Sequence, residues 1–219
     1  MADPKSDYTE IIVIRHGKTD WNADGRIQGQ QDVDLNDVGM QQASAVAARL
    51  SKENKISAVY SSDLKRAFVT AEIIAQCCGM LVPVKDPDLR ERHMGDLHGI
   101  VFNEAAKIKP EAHKAFVSLK RDQVIPGGGE SLNQLYDRCT LALQRIAKKH
   151  RGERVVVVTH GATIEQLHRR GSVYGMSAGK VLNTSVNVFH LFEEDKWSII
   201  SWGDASHLDG VDNGQVPSF

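Results

Sequence analysis

An imidazole beside a permanent cation, followed by small donors, is the inventory that a phosphate ester calls for, and the octet Arg15-His16-Gly17-Lys18-Thr19-Asp20-Trp21-Asn22 has it. Arg15 brings fixed charge, Gly17 a backbone that a ligand can approach closely, and Thr19 and Asn22 neutral hydrogen-bonding groups. A second histidine stands in Thr159-His160-Gly161. An isolated histidine is usually an ordinary surface or core group; these two differ because each closes a β-branched run, Ile11-Ile12-Val13-Ile14 and Val155-Val156-Val157-Val158. Short continuous apolar runs of this kind suit strands buried on both faces of a parallel sheet. Open sheets bind ligands outside the carboxyl ends of their strands, so His16 and His160 are expected to face one pocket.

The elements needed to position them follow from the rest of the chain. Asn36 is placed to cap a helix through Val38, Ala45, Val46, Ala48 and Leu50, with Gly39 a mild objection near its start. Ala58-Val59-Tyr60 reads as a strand leading through Ser61-Ser62-Asp63 into a helix that stops at Gly79, and Leu81 to Val84 as a third strand. Weaker helical segments broken at Pro110 precede Gly127-Gly128-Gly129. From Glu130-Ser131 an amphipathic helix runs through Leu132, Leu135, Cys139, Leu143 and Ile146 to a basic end at Lys148-Lys149-His150. Ser185 to Phe192 and Trp197 to Trp202, joined by Glu193-Glu194-Asp195, read as an edge hairpin. The expected architecture is α/β: a three-layer α/β/α sandwich with a mostly parallel central sheet and an antiparallel edge strand, formed by residues 1–219 as one domain.

Composition excludes several classes. The 219 residues are 41% hydrophobic and 25% charged, ordinary for a packed globular chain. Lys plus Arg number 27 against 28 Asp plus Glu, so no basic excess exists to hold nucleic acid or a membrane surface. No apolar run approaches the ~20 residues of a membrane span and Met1 to Glu10 has no signal-peptide pattern, which favours a soluble, cytoplasmic protein. Cys77, Cys78 and Cys139 form no disulfide framework and read as structural thiols of a reducing compartment. Asn183-Thr184-Ser185 matches a glycosylation acceptor by accident on this reading. Gly175 to Val181 is one residue short of a P-loop and ends in Val181 where a hydroxyl should meet magnesium. His93 and His98 lack helical metal-pair spacing, so no metal site is expected.

The octet resembles the signature of the histidine phosphatase superfamily, in its cofactor-dependent phosphoglycerate mutase-like branch. Ser61-Ser62-Asp63-Leu64-Lys65-Arg66-Ala67, Leu89-Arg90-Glu91-Arg92 and Thr159-His160-Gly161 resemble the later motifs in the expected order, so the resemblance spans nearly the whole chain. It implies that His16 is the nucleophile that forms a phosphohistidine. It also implies that Arg15, Arg66 and a protonated His160 cradle the phosphoryl charge without a metal. Glu91 matches the acid that protonates the leaving oxygen and then activates water. Its neighbours Arg90 and Arg92 are expected to point away, since a cation turned inward would hold that acid ionised. Asn22, Thr19, Gln28 and Gly161 match substrate-binding positions.

The branch divides between mutases and phosphatases. Between Gly99 and Gly127 the cations are Lys107, Lys109, Lys114, Lys120 and Arg121, without the adjacent arginine pair that holds a bisphosphorylated intermediate in the mutases. A metal-independent phosphomonoesterase is therefore favoured, with no cofactor; 2,3-bisphosphoglycerate would be needed only by a mutase. The chain also resembles plant-type phosphoglycerate mutase-like proteins and metal-independent phosphoserine phosphatases around Pro126 to Ser131. That resemblance implies a small phosphorylated metabolite such as phosphoserine or another phosphorylated carboxylate. His93, Lys85 and the loop after Gly171 are candidate carboxylate contacts. The chain departs from the pattern at Ala162, where a second glycine is common, and at Glu165, expected on a solvated helix face. A phospho-ligand-binding module of weak activity is the alternative of another class, and a homodimer through the sheet edge is an open arrangement.

Overall fold

A computed structural model describes residues 7–80, 82–172 and 176–211. In chain order the elements are β1 (Tyr8–Arg15), α1 (Asp20–Ala23), α2 (Asp37–Leu50), β2 (Ala58–Ser61), α3 (Lys65–Cys77), β3 (Val84–Lys85), α4 (Ala105–Ile108) and α5 (Pro110–Phe116). They continue with α6 (Leu132–Lys149), β4 (Arg154–Thr159), α7 (Gly161–Gly171), β5 (Val186–Phe192) and β6 (Trp197–Asp204). One mixed sheet runs in the order β3-β2-β4-β1-β5-β6. Neighbours from β3 to β1 are parallel, and β5 is antiparallel to both β1 and β6. The hairpin does occupy the edge; its antiparallel strand is β5, one place in, and β6 is the outermost.

Alternation along the buried strands feeds two cores. Ile11, Val13, Val155 and Val157 pack with Cys139, Leu143 and Ile146 of α6 and Ile164 and Leu167 of α7. Ile12, Ile14, Val156 and Val158 pack on the other face with Val46 and Leu50 of α2 and Ala67, Ala71 and Ile74 of α3. Helices cover both faces, so continuous apolar runs rather than alternating ones are what the central strands require. A third cluster of Ile27, Met94, Leu97, Ala105, Ala112 and Ile125 lies under the segment between β3 and α6.

The caps formed where donors and acceptors allow. Asn36 Oδ1 accepts from the Gly39 N–H at 2.9 Å, and Ser131 and Gln134 form a reciprocal capping box at α6. Pro110 opens α5, where its missing N–H costs nothing. The expected third strand shrinks to Val84–Lys85. Leu81 lies outside the described residues, as do Gly175 of the rejected P-loop and part of the loop after Gly171. All three cysteines are free, and burial pushes the Cys139 thiol up to about 12, as a structural thiol should be. Among the described residues no helix is long and apolar enough to cross a membrane.

Candidate active site

Register brings the two histidines together. Arg15 pairs with Thr159 across β1 and β4, and the His16 N–H donates to the Thr159 carbonyl at 3.0 Å, so the residues that follow leave the sheet side by side. The imidazole centroids lie 5.1 Å apart. Gly39, the weak point of the α2 pattern, is required: a Cβ there would collide with the Lys18 carbonyl oxygen, as one on Gly17 would with the Gly39 carbonyl. This close approach seats the loop after β1 on α2. The Gly17 N–H donates to Thr70 Oγ1 at 3.1 Å, the Lys18 N–H to Gln42 Oε1 at 3.0 Å, and Asn183 Nδ2 donates to the His16 carbonyl at 2.9 Å.

The His16 tautomer follows from its two contacts. Nδ1 lies 2.7 Å from the Gly17 carbonyl, which can only accept, so Nδ1 carries the proton. Nε2 is left with its lone pair, toward which Arg66 Nε donates at 3.2 Å. Burial first, then Arg66 and Arg15, hold the ring well below the usual imidazole value, so it is neutral near pH 7. Arg66 is 1% exposed, far from the solvated arginine that its place early in a helix suggests by itself. Its two remaining nitrogens donate to the carbonyls of Gln31 and Gly29, each at 2.7 Å. Arg15 donates from Nη1 to the Val181 carbonyl at 2.7 Å, while its buried Nε has no partner among the described residues. Burial lowers both guanidiniums to about 10, still charged at neutrality.

His160 departs from expectation in charge. Burial, then Arg66 and His16, keep it well below the usual imidazole value, so without a bound anion it is neutral rather than protonated. Both of its ring nitrogens are buried without a hydrogen-bond partner among the described residues. Buried polar atoms are normally paired, and two orphans on one ring beside charged arginines mark a place for a polar ligand.

Of the expected neutral donors, Asn22 and Gln28 line the cleft and Thr19 does not. Thr19 is wholly buried; its hydroxyl accepts from the Asn22 N–H at 3.1 Å and donates to Gln28 Oε1 at 3.0 Å, while its own N–H donates to Asn22 Oδ1 at 3.2 Å. With both amide oxygens taken, the NH2 groups of Asn22 and Gln28 are left as donors. Gly161 opens α7 beside His160, with an N–H among those that a helix start leaves without an intrahelical acceptor.

The acid side is assembled from farther away. Glu91 is buried, its carboxylate accepting from the N–H of Arg92 at 2.8 Å and of Ala162 at 3.2 Å. Arg90 turns to Asp63 in a two-pronged pair at 2.7 and 2.5 Å, and Arg92 donates to the Glu130 carbonyl at 2.9 Å. Arg138, which the sequence reading passed over, donates to the carbonyls of Asp88, Arg90 and Glu91 and to both Glu130 oxygens, at 2.7–2.8 Å. Glu165 is not on a solvated face: it is half-buried, and burial, reinforced by Glu91 and offset by Arg15, raises its carboxyl to about 7. Lys85 and His93 are committed elsewhere, the ammonium 3.9 Å above the Phe68 ring and the imidazole packed edge-on against His98 with Nδ1 accepting from the Gly95 N–H. Asn183 of the glycosylation pattern is buried behind His16.

The cleft bounded by His16, Arg66, Glu91, Trp21 and Met94 is narrow and open to solvent. A larger cavity, lined by Thr9, Lys148, Arg151, Phe192 and Trp197, contains none of these residues, so size does not locate the chemistry. Among the described residues no group of three or more His, Cys, Asp and Glu is placed to hold a metal ion.

An α/β sheet with two histidines and the buried Arg15 at its strand ends, and the buried Arg66 in the first turn of α3, defines a cation-lined site of the phosphoryl-transfer type. The family model of the histidine phosphatase superfamily (branch 1) matches residues 11–205, and the chain belongs to that superfamily. It is 64% identical to phosphoglycerate mutase-like protein 4 of Arabidopsis thaliana over 203 residues, 93% of this chain and 88% of the relative. It is 55% identical to a metal-independent phosphoserine phosphatase of the same plant over 207 residues, 94% of this chain and 86% of the relative. Among solved structures, the phosphoserine phosphatase of Entamoeba histolytica in complex with 3-phosphoglyceric acid superposes with a TM-score of 0.78. That match has 28% identity and covers 91% of this chain and 99% of the other.

Proposed function

We propose that the chain is a metal-independent phosphomonoesterase that works through a phosphohistidine at His16 and acts on a small phosphorylated carboxylate such as phosphoserine. The observation that carries this is the state of His16: neutral, with Nδ1–H held by the Gly17 carbonyl and the Nε2 lone pair turned into the arginine-lined cleft. Nε2 attacks phosphorus as the ester P–O bond breaks, and protonated Glu91 gives its proton to the leaving oxygen. The resulting imidazolium keeps its Nδ1–H on Gly17. Glu91, now a carboxylate, takes a proton from water while the oxygen attacks phosphorus; the P–N bond breaks, releasing phosphate and restoring both residues. Arg15, Arg66, Gly161 and the amides of Asn22 and Gln28 surround the phosphoryl oxygens, with Thr19 setting the two amides. A dianion beside His160 favours its protonated form.

Names among the relatives divide between mutase-like proteins and phosphatases. The missing arginine pair between Gly99 and Gly127, together with the high identity to the phosphoserine phosphatase, supports water as acceptor. Phosphate release from phosphoserine, 3-phosphoglycerate and 2,3-bisphosphoglycerate in EDTA, with 3- to 2-phosphoglycerate conversion followed in parallel, tests this. Release without isomerisation is expected; isomerisation dependent on bisphosphoglycerate would replace the reading by a mutase. His16→Ala is expected to lose at least about 10⁴-fold in turnover with an unchanged fold, and unchanged phosphate release would sink the mechanism.

A further inference from the structure

Three arginines line the cleft, and the phosphoryl group uses two of them, Arg15 and Arg66. The third, Arg26, follows the turn at Gly25 and is bridged to Val101 in a short antiparallel pairing. In that pairing the Ile27 N–H donates to the Ile100 carbonyl and the Gly99 N–H to the Ile27 carbonyl, each at 2.9 Å. Ile27 anchors the segment in the third core cluster, and Gln28, the next residue, reaches the phosphoryl side of the same cleft. The Arg26 side chain is half-buried; its Nη1 donates to the Gly99 carbonyl at 2.5 Å, and its guanidinium carbon lies 5.7 Å from the centre of the Trp21 ring. These two contacts hold the guanidinium plane. Nε and Nη2, which share one edge of it, have no acceptor among the described residues, and no described carboxylate forms an ion pair with Arg26. Glu91 is the one carboxylate among the described residues lining the cleft, and it accepts from the N–H groups of Arg92 and Ala162.

We infer that Arg26 receives a carboxylate on the organic part of the ester, and so sets a preference for phosphorylated carboxylates over phosphate esters without one. A fixed guanidinium edge with two free donors matches a carboxylate in shape and charge. The lining offers no fourth cation to stand beside Arg26, which suits a monoanion rather than a second phosphate dianion. The inference rests on the phosphatase reading above and deepens it: with Lys85 and His93 committed elsewhere, it gives the carboxylate contact to a residue inside the cleft. The carboxylate stands away from the breaking P–O bond, so its pairing with Arg26 is the same before and during transfer and acts on KM rather than on kcat.

The test is the ratio of kcat/KM for phosphoserine and O-phosphoethanolamine in the wild type, Arg26→Gln and Arg26→Glu. The second ester is the first without its carboxylate, so phosphate and ammonium are common to both. Each ratio is taken within one protein and does not depend on how much of a variant folds; a loss of packing around Gly99 would lower both esters alike. The wild type is expected to favour phosphoserine at least about tenfold, through KM. Arg26→Gln is expected to bring the ratio to within about twofold of one, and Arg26→Glu to reverse it. A wild-type ratio near one, which needs no variant to detect, overturns the assignment, as does the same ratio in all three proteins. If neither ester is hydrolysed, calorimetric Kd values for the pair decide: a preference for phosphoserine that Arg26→Gln abolishes upholds the role of Arg26, and equal affinities in the wild type end it. Absence of phosphate release from p-nitrophenyl phosphate as well would be the failure of the phosphatase reading, separate from this one.

Discussion

The cationic side of the cleft stands on the ends of β1 and β4 and the first turn of α3, whereas the acid side hangs on a loop between β3 and α6. Backbone register sets the first: once Arg15 lies opposite Thr159, His16 and His160 have nowhere else to emerge. Side chains set the second. Thr159 and Thr163 donate to the carbonyls of Leu89 and Arg90, Gln30 to that of Glu91, and Arg138 to three carbonyls of the loop. Charge that stabilises a transferring phosphoryl group must be rigid, and the sheet provides that rigidity. A proton carrier must reach the leaving oxygen and then a water on the same line, and a loop pinned at its carbonyls leaves the carboxylate itself to point inward.

If the two sides divide the work in this way, substitutions separate by leaving group. Glu91→Gln is expected to slow hydrolysis of an alkyl phosphate by about 10³–10⁴, because an alkoxide needs the proton. With p-nitrophenyl phosphate the first step survives and water attack is the slow one, so stopped-flow should show a burst of nitrophenolate. Arg66→Lys keeps the charge but loses the fork to Gln31, Gly29 and His16, and is expected to cost about 10² on both substrates alike. Absence of that burst in Glu91→Gln would erase the division.

The same division governs what could be read from the sequence. Ile11–Ile14 and Val155–Val158 announce themselves because strands buried on both faces must be continuously apolar, and the residues ending them inherit a position. Asn36 was legible as a cap because capping is local. Arg138 was not, because its partners are carbonyls some 50 residues away, which no periodicity encodes. Glu165 was assigned to a solvated face on its chemistry alone. Around it Ala162, Ile164, Gln166, Leu167 and His168 are all buried, so α7 has little exposed face there to offer. Asn183 matched a surface pattern and proved to be a buried brace, because three residues of motif say nothing about burial.

Removing the pin is the next test in size. Arg138→Met takes a donor from three loop carbonyls and leaves Glu130 only the His93 N–H, in a mostly buried setting. The expected cost is about 2–4 kcal/mol of stability, read from urea unfolding. A roughly tenfold lower kcat for alkyl esters should accompany it, with p-nitrophenyl phosphate less affected, because the loop carries only the acid. A loss shared equally by both substrates would mean that Arg138 braces the cationic side too.

The smallest expected effect tells the two sides apart by the sign of their pH dependence. His16 and His160 have folded-state affinities for protons below that of an unfolded histidine, near 6.5. The unfolded chain therefore binds more protons as pH falls through 6.5, and these residues destabilise the fold progressively in acid while costing nothing above it. Glu165 is opposite. Its folded value of about 7 lies above the ordinary 4.5, so the unfolded chain releases the proton first, and the penalty appears as pH rises from 4.5 and is complete above 7. Glu165→Gln removes that penalty and should melt higher than the wild type at pH 8 by a few degrees, corresponding to about 1–3 kcal/mol in a chain of this size, with little difference at pH 4.5. A gap that is the same at both pH values would show that the carboxyl is solvated after all, and would return Glu165 to the surface where its sequence first placed it.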